Sequence, residues 1–127
     1  MPHKQFHIGD VMTVVHQKFL SPSGWDGLYA ILRYLTGEPV YTHQVNRVLD
    51  ECQVVMRQRY PQFVMVSVAG VNDETSHRKW LAEVIAEHGE FVDVSPLPPN
   101  TVESIDPLSE LAARMHPDRI VQVSLPT

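Results

Sequence analysis

Leu28, Ile31, Leu32 and Leu35 stand at i, i+3, i+4 and i+7, the spacing that puts four large apolar side chains on one face of an α-helix. Such a stripe has to be buried against other elements, so it commits the chain to a helix-containing core. Gly37, just beyond the last stripe residue, supplies a left-handed stop. Upstream, Ser23 and Asp26 have the spacing of a capping box, which predicts a helix start there.

The same reasoning extends along the chain. Phe6, Ile8, Met12 and Val14, interrupted by Gly9-Asp10, read as a strand over Phe6 to His16 entered through a turn or bulge. Thr42 can cap a second helix carrying Val45, Val48, Leu49, Cys52, Val55 and Met56, ending near Tyr60 before Pro61. Phe63 to Val68, bounded by Pro61 and Gly70, reads as a central strand buried on both faces. Asn72, Asp73 or Thr75 can cap a third helix with Trp80, Leu81, Val84 and Ile85, closing at His88-Gly89. Phe91 to Val94 reads as a short strand and Ser95 to Pro107, with four prolines, as an extended surface loop and the best candidate for mobility. Asp106-Pro107 opens a helix through Leu108, Leu111, Ala112 and Met115, and Ile120 to Leu125 forms a last strand. The expected fold is α/β or α+β, in the order β-α-α-β-α-β-α-β: a small mixed, partly parallel sheet with helices packed on it. At 127 residues the chain is expected to be a single domain with one core.

Composition narrows the function classes. A net charge of -5, with basic residues scattered rather than gathered into a stripe, disfavours nucleic acid as a partner. No apolar run approaches the roughly 20 residues that span a bilayer, and Met1-Pro2-His3-Lys4-Gln5 does not open a secretory signal, so a cytoplasmic protein is expected. One cysteine, Cys52, allows no intrachain disulfide and no Cys-rich zinc site.

Four groups of residues bear on chemistry. Cys52 with His43 would make a thiolate–imidazolium pair, but Cys52 lies on an apolar stripe and His43 about two and a half turns away. His3 and His7 have the i, i+4 spacing of helical metal ligands, yet on a strand they sit about 13 Å apart. His77, His88 and His116 stand near expected helix ends, an ordinary structural use, whereas His16 and His43 have no evident role. No catalytic residue, metal site or cofactor is therefore expected. Gly70-Val71-Asn72-Asp73 lies between an expected strand and helix, where open α/β sheets bind ligands, and makes Asn72, Asp73, His77 and Arg78 candidate ligand-binding residues. The single glycine and the anionic Asp73 argue against phosphate there. Trp25, Tyr29, Tyr34 and Tyr41 concentrate aromatic side chains in one region, either completing the core or forming a partner surface, with a homodimer through this helix as one outcome.

The strings Phe6-His7-Ile8-Gly9-Asp10-Val11, Ser21-Pro22, Trp25-Asp26-Gly27-Leu28, Leu35-Thr36-Gly37, Thr42-His43-Gln44 and Trp80-Leu81 together resemble short uncharacterised proteins of bacteriophages and prophages. The resemblance implies a small accessory protein in an infected or lysogenic bacterium, acting by binding a host protein such as a defence component. It attaches no activity. The leading expectation is a non-enzymatic interaction protein; the alternative is a small ligand-binding protein or enzyme using the Gly70 to Asp73 loop.

Overall fold

The computed structural model describes residues 3–114. Strand β1 (Lys4–His7) is followed by helices α1 (Ile8–His16) and α2 (Gly24–Thr36), a 3-10 turn (Thr42–Gln44), helices α3 (Val45–Arg59), α4 (Pro61–Val64) and α5 (Glu74–His88), strand β2 (Phe91–Val94) and helix α6 (Pro107–Arg114). The architecture is α+β and rich in helix. Its sheet has two antiparallel strands, β1 and β2, with Lys4 opposite Val94 and His7 opposite Phe91. A partly parallel sheet and the expected element order are thereby corrected. The expected strand Ile120 to Leu125, with Met115 and His116, lies outside the described residues.

The largest correction concerns residues 8–16, which form a helix and not a strand. The His7 imidazole caps it, its Nδ1 accepting from the Gly9 amide at 3.0 Å. Every residue from Ile8 to Val15 is buried, so the helix is apolar nearly all round and has no polar face to reveal its period. It is the centre of the molecule, packed against both strands and against α2, α3, α4 and α5.

Its polar residues are satisfied internally, as burial demands. Thr13 Oγ1 donates to the Gly9 carbonyl at 2.8 Å and accepts from Leu20 N at 3.1 Å. The Asp10 carboxylate accepts from the Ser21 hydroxyl. Gly27 passes this pair so closely that a Cβ there would lie 2.5 Å from Asp10 Oδ1 and closer still to Ser21 Oγ. The α1–α2 junction therefore rests on Asp10, Ser21 and Gly27 together.

Helix α2 carries the expected stripe, with Leu28, Ile31, Leu32 and Leu35 all buried and Gly37 closing it at φ 78°. Ser23 is its N-cap residue, but no side-chain cap bond forms. Instead Ser23 N donates to Ser21 Oγ at 3.2 Å, which corrects the capping-box expectation. In α3, Val45, Val48, Leu49, Cys52 and Met56 are buried as the stripe predicts.

The expected central strand Phe63 to Val68 is also absent. Pro61 occupies the first turn of α4, where its fixed φ suits a helix, and irregular chain follows. Only Phe63 of that run is deeply buried, while Met65 is 84% exposed. Helix α5 starts on Asp73, whose carboxylate accepts from Ser76 N at 2.8 Å, and buries Trp80 and Val84. Buried apolar residues of all these elements form one core, reaching from Phe6 to Leu97.

The proline-rich stretch 95–106 runs over the surface, but it is pinned at several points. Leu97 is buried and donates its amide to the Leu35 carbonyl at 3.0 Å. Arg59 donates to the Ser95 and Pro96 carbonyls at 2.6 and 2.9 Å. Asp106 caps α6, accepting from Ser109 N at 3.0 Å, with Pro107 at the first helical position. Leu108, in the helix expected there, is 76% exposed.

Candidate functional site

Trp25 and Tyr29 are four residues apart on α2, hence on one face, and their rings lie 5.9 Å apart. Phe19, in the link between α1 and α2, meets Trp25 edge-on at 5.1 Å. Tyr29 extends the row by a hydrogen bond of 3.0 Å between its hydroxyl and Thr42 Oγ1, and next to Thr42 the Tyr41 ring stacks on His43 at 6.4 Å. Phe19 is 42%, Trp25 55% and Tyr41 50% exposed. Three of the four expected aromatic residues thus gather in one row, Trp25 and Tyr41 exposed and Tyr29 half-buried against the core.

Tyr34 does not join them. Five residues beyond Tyr29 it points about 140° away around the helix. There it packs on Phe6, with ring centroids 5.2 Å apart. Phe19 is the member that sequence reasoning missed. Its signal was the Phe19-Leu20 pair before Ser21-Pro22, in which Leu20 is buried and its neighbour turns outward.

The loop before α5 meets the row at Phe19. Lys18, Phe19, Asn72, Asp73, Glu74 and His77 line an open groove there. Its polar groups are already engaged in local structure. Asp73 caps α5, and the Ser76 amide holds its carboxyl below the usual range. Asn72 N donates to Ser76 Oγ at 2.8 Å, and His77 Nε2 bonds the Leu20 carbonyl at 2.8 Å while its ring stacks near Trp80. Arg78 turns away to pair with Glu74 at 3.2 Å. Because the chain before this loop is irregular, the strand-end geometry that suggested a ligand site is not present.

Cys52 is fully buried, and burial, with a smaller push from Glu51, raises its thiol to about 12. A thiol held protonated at neutral pH is a poor nucleophile. His43, its notional partner, has Nε2 2.8 Å from the Pro107 carbonyl. His16 likewise bonds the Phe63 carbonyl at 2.9 Å, so both histidines left without a role serve to tie segments together. His7 is spent on the α1 cap, and its Nε2 lies 3.6 Å from Glu90, whereas His3 lies 3.8 Å from Asp93. Among the described residues no three His, Cys, Asp or Glu side chains are grouped to hold a metal ion. No described helix is long and apolar enough to cross a membrane.

A polar latch was also invisible in the sequence. Arg47 on α3 holds Glu110 of α6 with two bonds, Nε–Oε2 at 2.8 Å and Nη2–Oε1 at 3.0 Å. It also donates to Glu51 at 2.9 Å and to the Glu103 carbonyl at 2.8 Å. Gln44 adds bonds to Glu110 and to the Ile105 carbonyl. This network joins α6 and the preceding loop to α3, below the Tyr41 end of the aromatic row in sequence.

Comparison with known proteins adds one finding. No curated protein and no solved structure matches the chain. The segment from β1 to just past α4, which contains the central helix, the Asp10–Ser21–Gly27 junction and the whole aromatic row, does match a family model: a domain of unknown function (DUF7736) is found over residues 6–65.

Proposed function

We propose that this chain acts by binding another protein through the row formed by Phe19, Trp25, Tyr29 and Tyr41. The observation that carries this reading is the exposure of Phe19, Trp25 and Tyr41 beside the half-buried Tyr29, with Phe19, Trp25 and Tyr29 in successive ring contact and Tyr41 joined to them through Thr42. Trp and Tyr combine apolar area with a polar handle, cost little entropy to immobilise, and dominate the energetics of protein interfaces. A monomer gains no stability from leaving them in water. The resemblance of the Ile8-Gly9-Asp10-Val11 and Thr42-His43-Gln44 strings to phage and prophage proteins supplies the setting: a cytoplasmic accessory protein that occludes a host protein, with no chemistry of its own. A homodimer through α2 would use the same row.

The test is affinity capture from bacterial lysate with the wild-type chain and with a Trp25→Ala, Tyr41→Ala variant. A protein retained by the first and lost by the second supports the proposal, whereas identical captures count against it. Self-association is read by light scattering across a concentration series. The groove at Phe19, Asn72, Asp73 and His77 favours a second reading, small-ligand binding at the α5 entrance. A metabolite that recurrently co-purifies and is lost on Asn72→Ala substitution would establish that reading instead.

A further inference from the structure

Around α2 from the aromatic row, beginning at Arg33 one turn beyond Tyr29, Lys4, Ala30, Arg33, Tyr34, Gly37 and Pro96 line an open groove of about 630 Å³. Its walls are mostly apolar: the Ala30 methyl, the Pro96 ring and Tyr34. Both of its charged residues are cations, in a chain whose net charge is -5. Neither is neutralised by a carboxylate among the described residues, since the six ion pairs found there involve other groups. Lys4 instead rests its ammonium over the Phe6 ring at 5.3 Å, and Arg33 is exposed near the end of α2. A third guanidinium, that of Arg59, is held on the Ser95 and Pro96 carbonyls at the groove edge.

Tyr34 contributes its ring to the wall. Its hydroxyl is buried, and among the described residues it is the one buried side-chain polar atom without a hydrogen-bond partner. That burial closes it to a molecule in the groove, to which Tyr34 offers its ring. Two unneutralised cations and an apolar wall are complementary to one class of molecule. We infer that this groove binds a small organic acid, its carboxylate held between Lys4 and Arg33 and its aromatic or aliphatic body laid against Ala30, Tyr34 and Pro96. The site is separate from the aromatic row and stands or falls without it.

The experiment is a titration of the full chain followed by amide NMR, with phenylbutyrate as probe and with phenylbutyramide and inorganic phosphate as controls. Phenylbutyrate is expected to produce saturable shifts at Ala30, Arg33, Tyr34 and Gly37. The uncharged amide lacks the ionic contact and phosphate lacks the apolar one, so each should bind about tenfold more weakly. Arg33→Ala should weaken phenylbutyrate about tenfold, with Arg33→Lys recovering part of the loss. Arg33 makes no side-chain bond that the fold needs, so both variants should retain the native spectrum. Tyr34→Phe keeps the ring wall and should leave binding within about twofold. Absence of saturable shifts at those four residues would overturn the inference. So would equal binding of the amide or of phosphate, or unchanged affinity in Arg33→Ala.

Discussion

Replacing Gly27 by alanine sets two effects of opposite sign against each other, and their magnitudes decide the outcome. In the interior of a helix alanine is favoured over glycine by about 1 kcal/mol. Here, however, the new methyl would stand 2.5 Å from Asp10 Oδ1 and nearer still to Ser21 Oγ, both in the buried wall between α1 and α2. Relief requires that the Ser21–Asp10 hydrogen bond break or that the helices part. Losing a hydrogen bond to a buried carboxylate costs about 1.5–3 kcal/mol, and overpacking a close helix contact adds about 1–3. After the propensity gain, Gly27→Ala should be destabilised by about 3 kcal/mol. With a urea slope of about 1–3 kcal/mol per molar, the midpoint should fall by at least about 1 M at unchanged slope. Ser21→Ala removes one of the two clashing oxygens, so the double variant should be less destabilised than the sum of the singles, by about 1 kcal/mol. The assay is urea unfolding followed by circular dichroism. A Gly27→Ala midpoint at or above that of the wild type would show that the Asp10–Ser21 pair yields to the methyl at no cost.

Two further outcomes follow from side-chain environments. Arg47→Ala should release α6 and the loop before it from α3 without unfolding the core, raising proteolytic cleavage between 98 and 107 about tenfold or more. The Arg47 guanidinium holds the Glu110 carboxyl below the usual range. A folded-state value below the unfolded one means that this stabilisation is complete above the ordinary carboxylate range and is lost as pH falls through the lowered value. Amide exchange in α6 should therefore rise on acidification in the wild type and respond less in Glu110→Gln. Cys52, with its thiol at about 12, should resist iodoacetamide in the native protein at pH 8 and react with one equivalent in urea. Stoichiometric labelling of the native chain would show that Cys52 is accessible after all.

The elements legible in the sequence are those with one wet face. Helices α2, α3 and α5 show their stripes because polar residues alternate with buried ones at helical spacing, and Gly37, Asp73 and Asp106-Pro107 mark ends that the structure uses as read. Helix α1 was not legible for the opposite reason. Being buried on all sides, it has no contrast to reveal a period, and its Val11, Thr13, Val14 and Val15 resemble a strand. Phe63 to Val68 misleads through the same β-branched composition, although only Phe63 of that run enters the core deeply. With that strand gone, the parallel crossovers inferred from it disappear, and so does the ligand-binding geometry assigned to Gly70–Asp73. The aromatic concentration could be read directly, but its division, with Tyr34 against Phe6, Tyr29 half-buried and Trp25 and Tyr41 exposed, needed the helix phase and the position of Phe19. The Arg47–Glu110 latch spans residues 63 apart, and no local spacing rule reaches that far.

Whether the exposed aromatic row is the surface this chain binds through is read directly on the captured partner by titration calorimetry. Val54 on α3, 58% exposed and making no part of the row, is the matched control. Trp25→Ala should weaken binding by about thirtyfold or more, the loss typical of a central aromatic anchor, while Val54→Ala stays within about twofold. Equal affinities for wild type and Trp25→Ala, with both folded, would contradict the account.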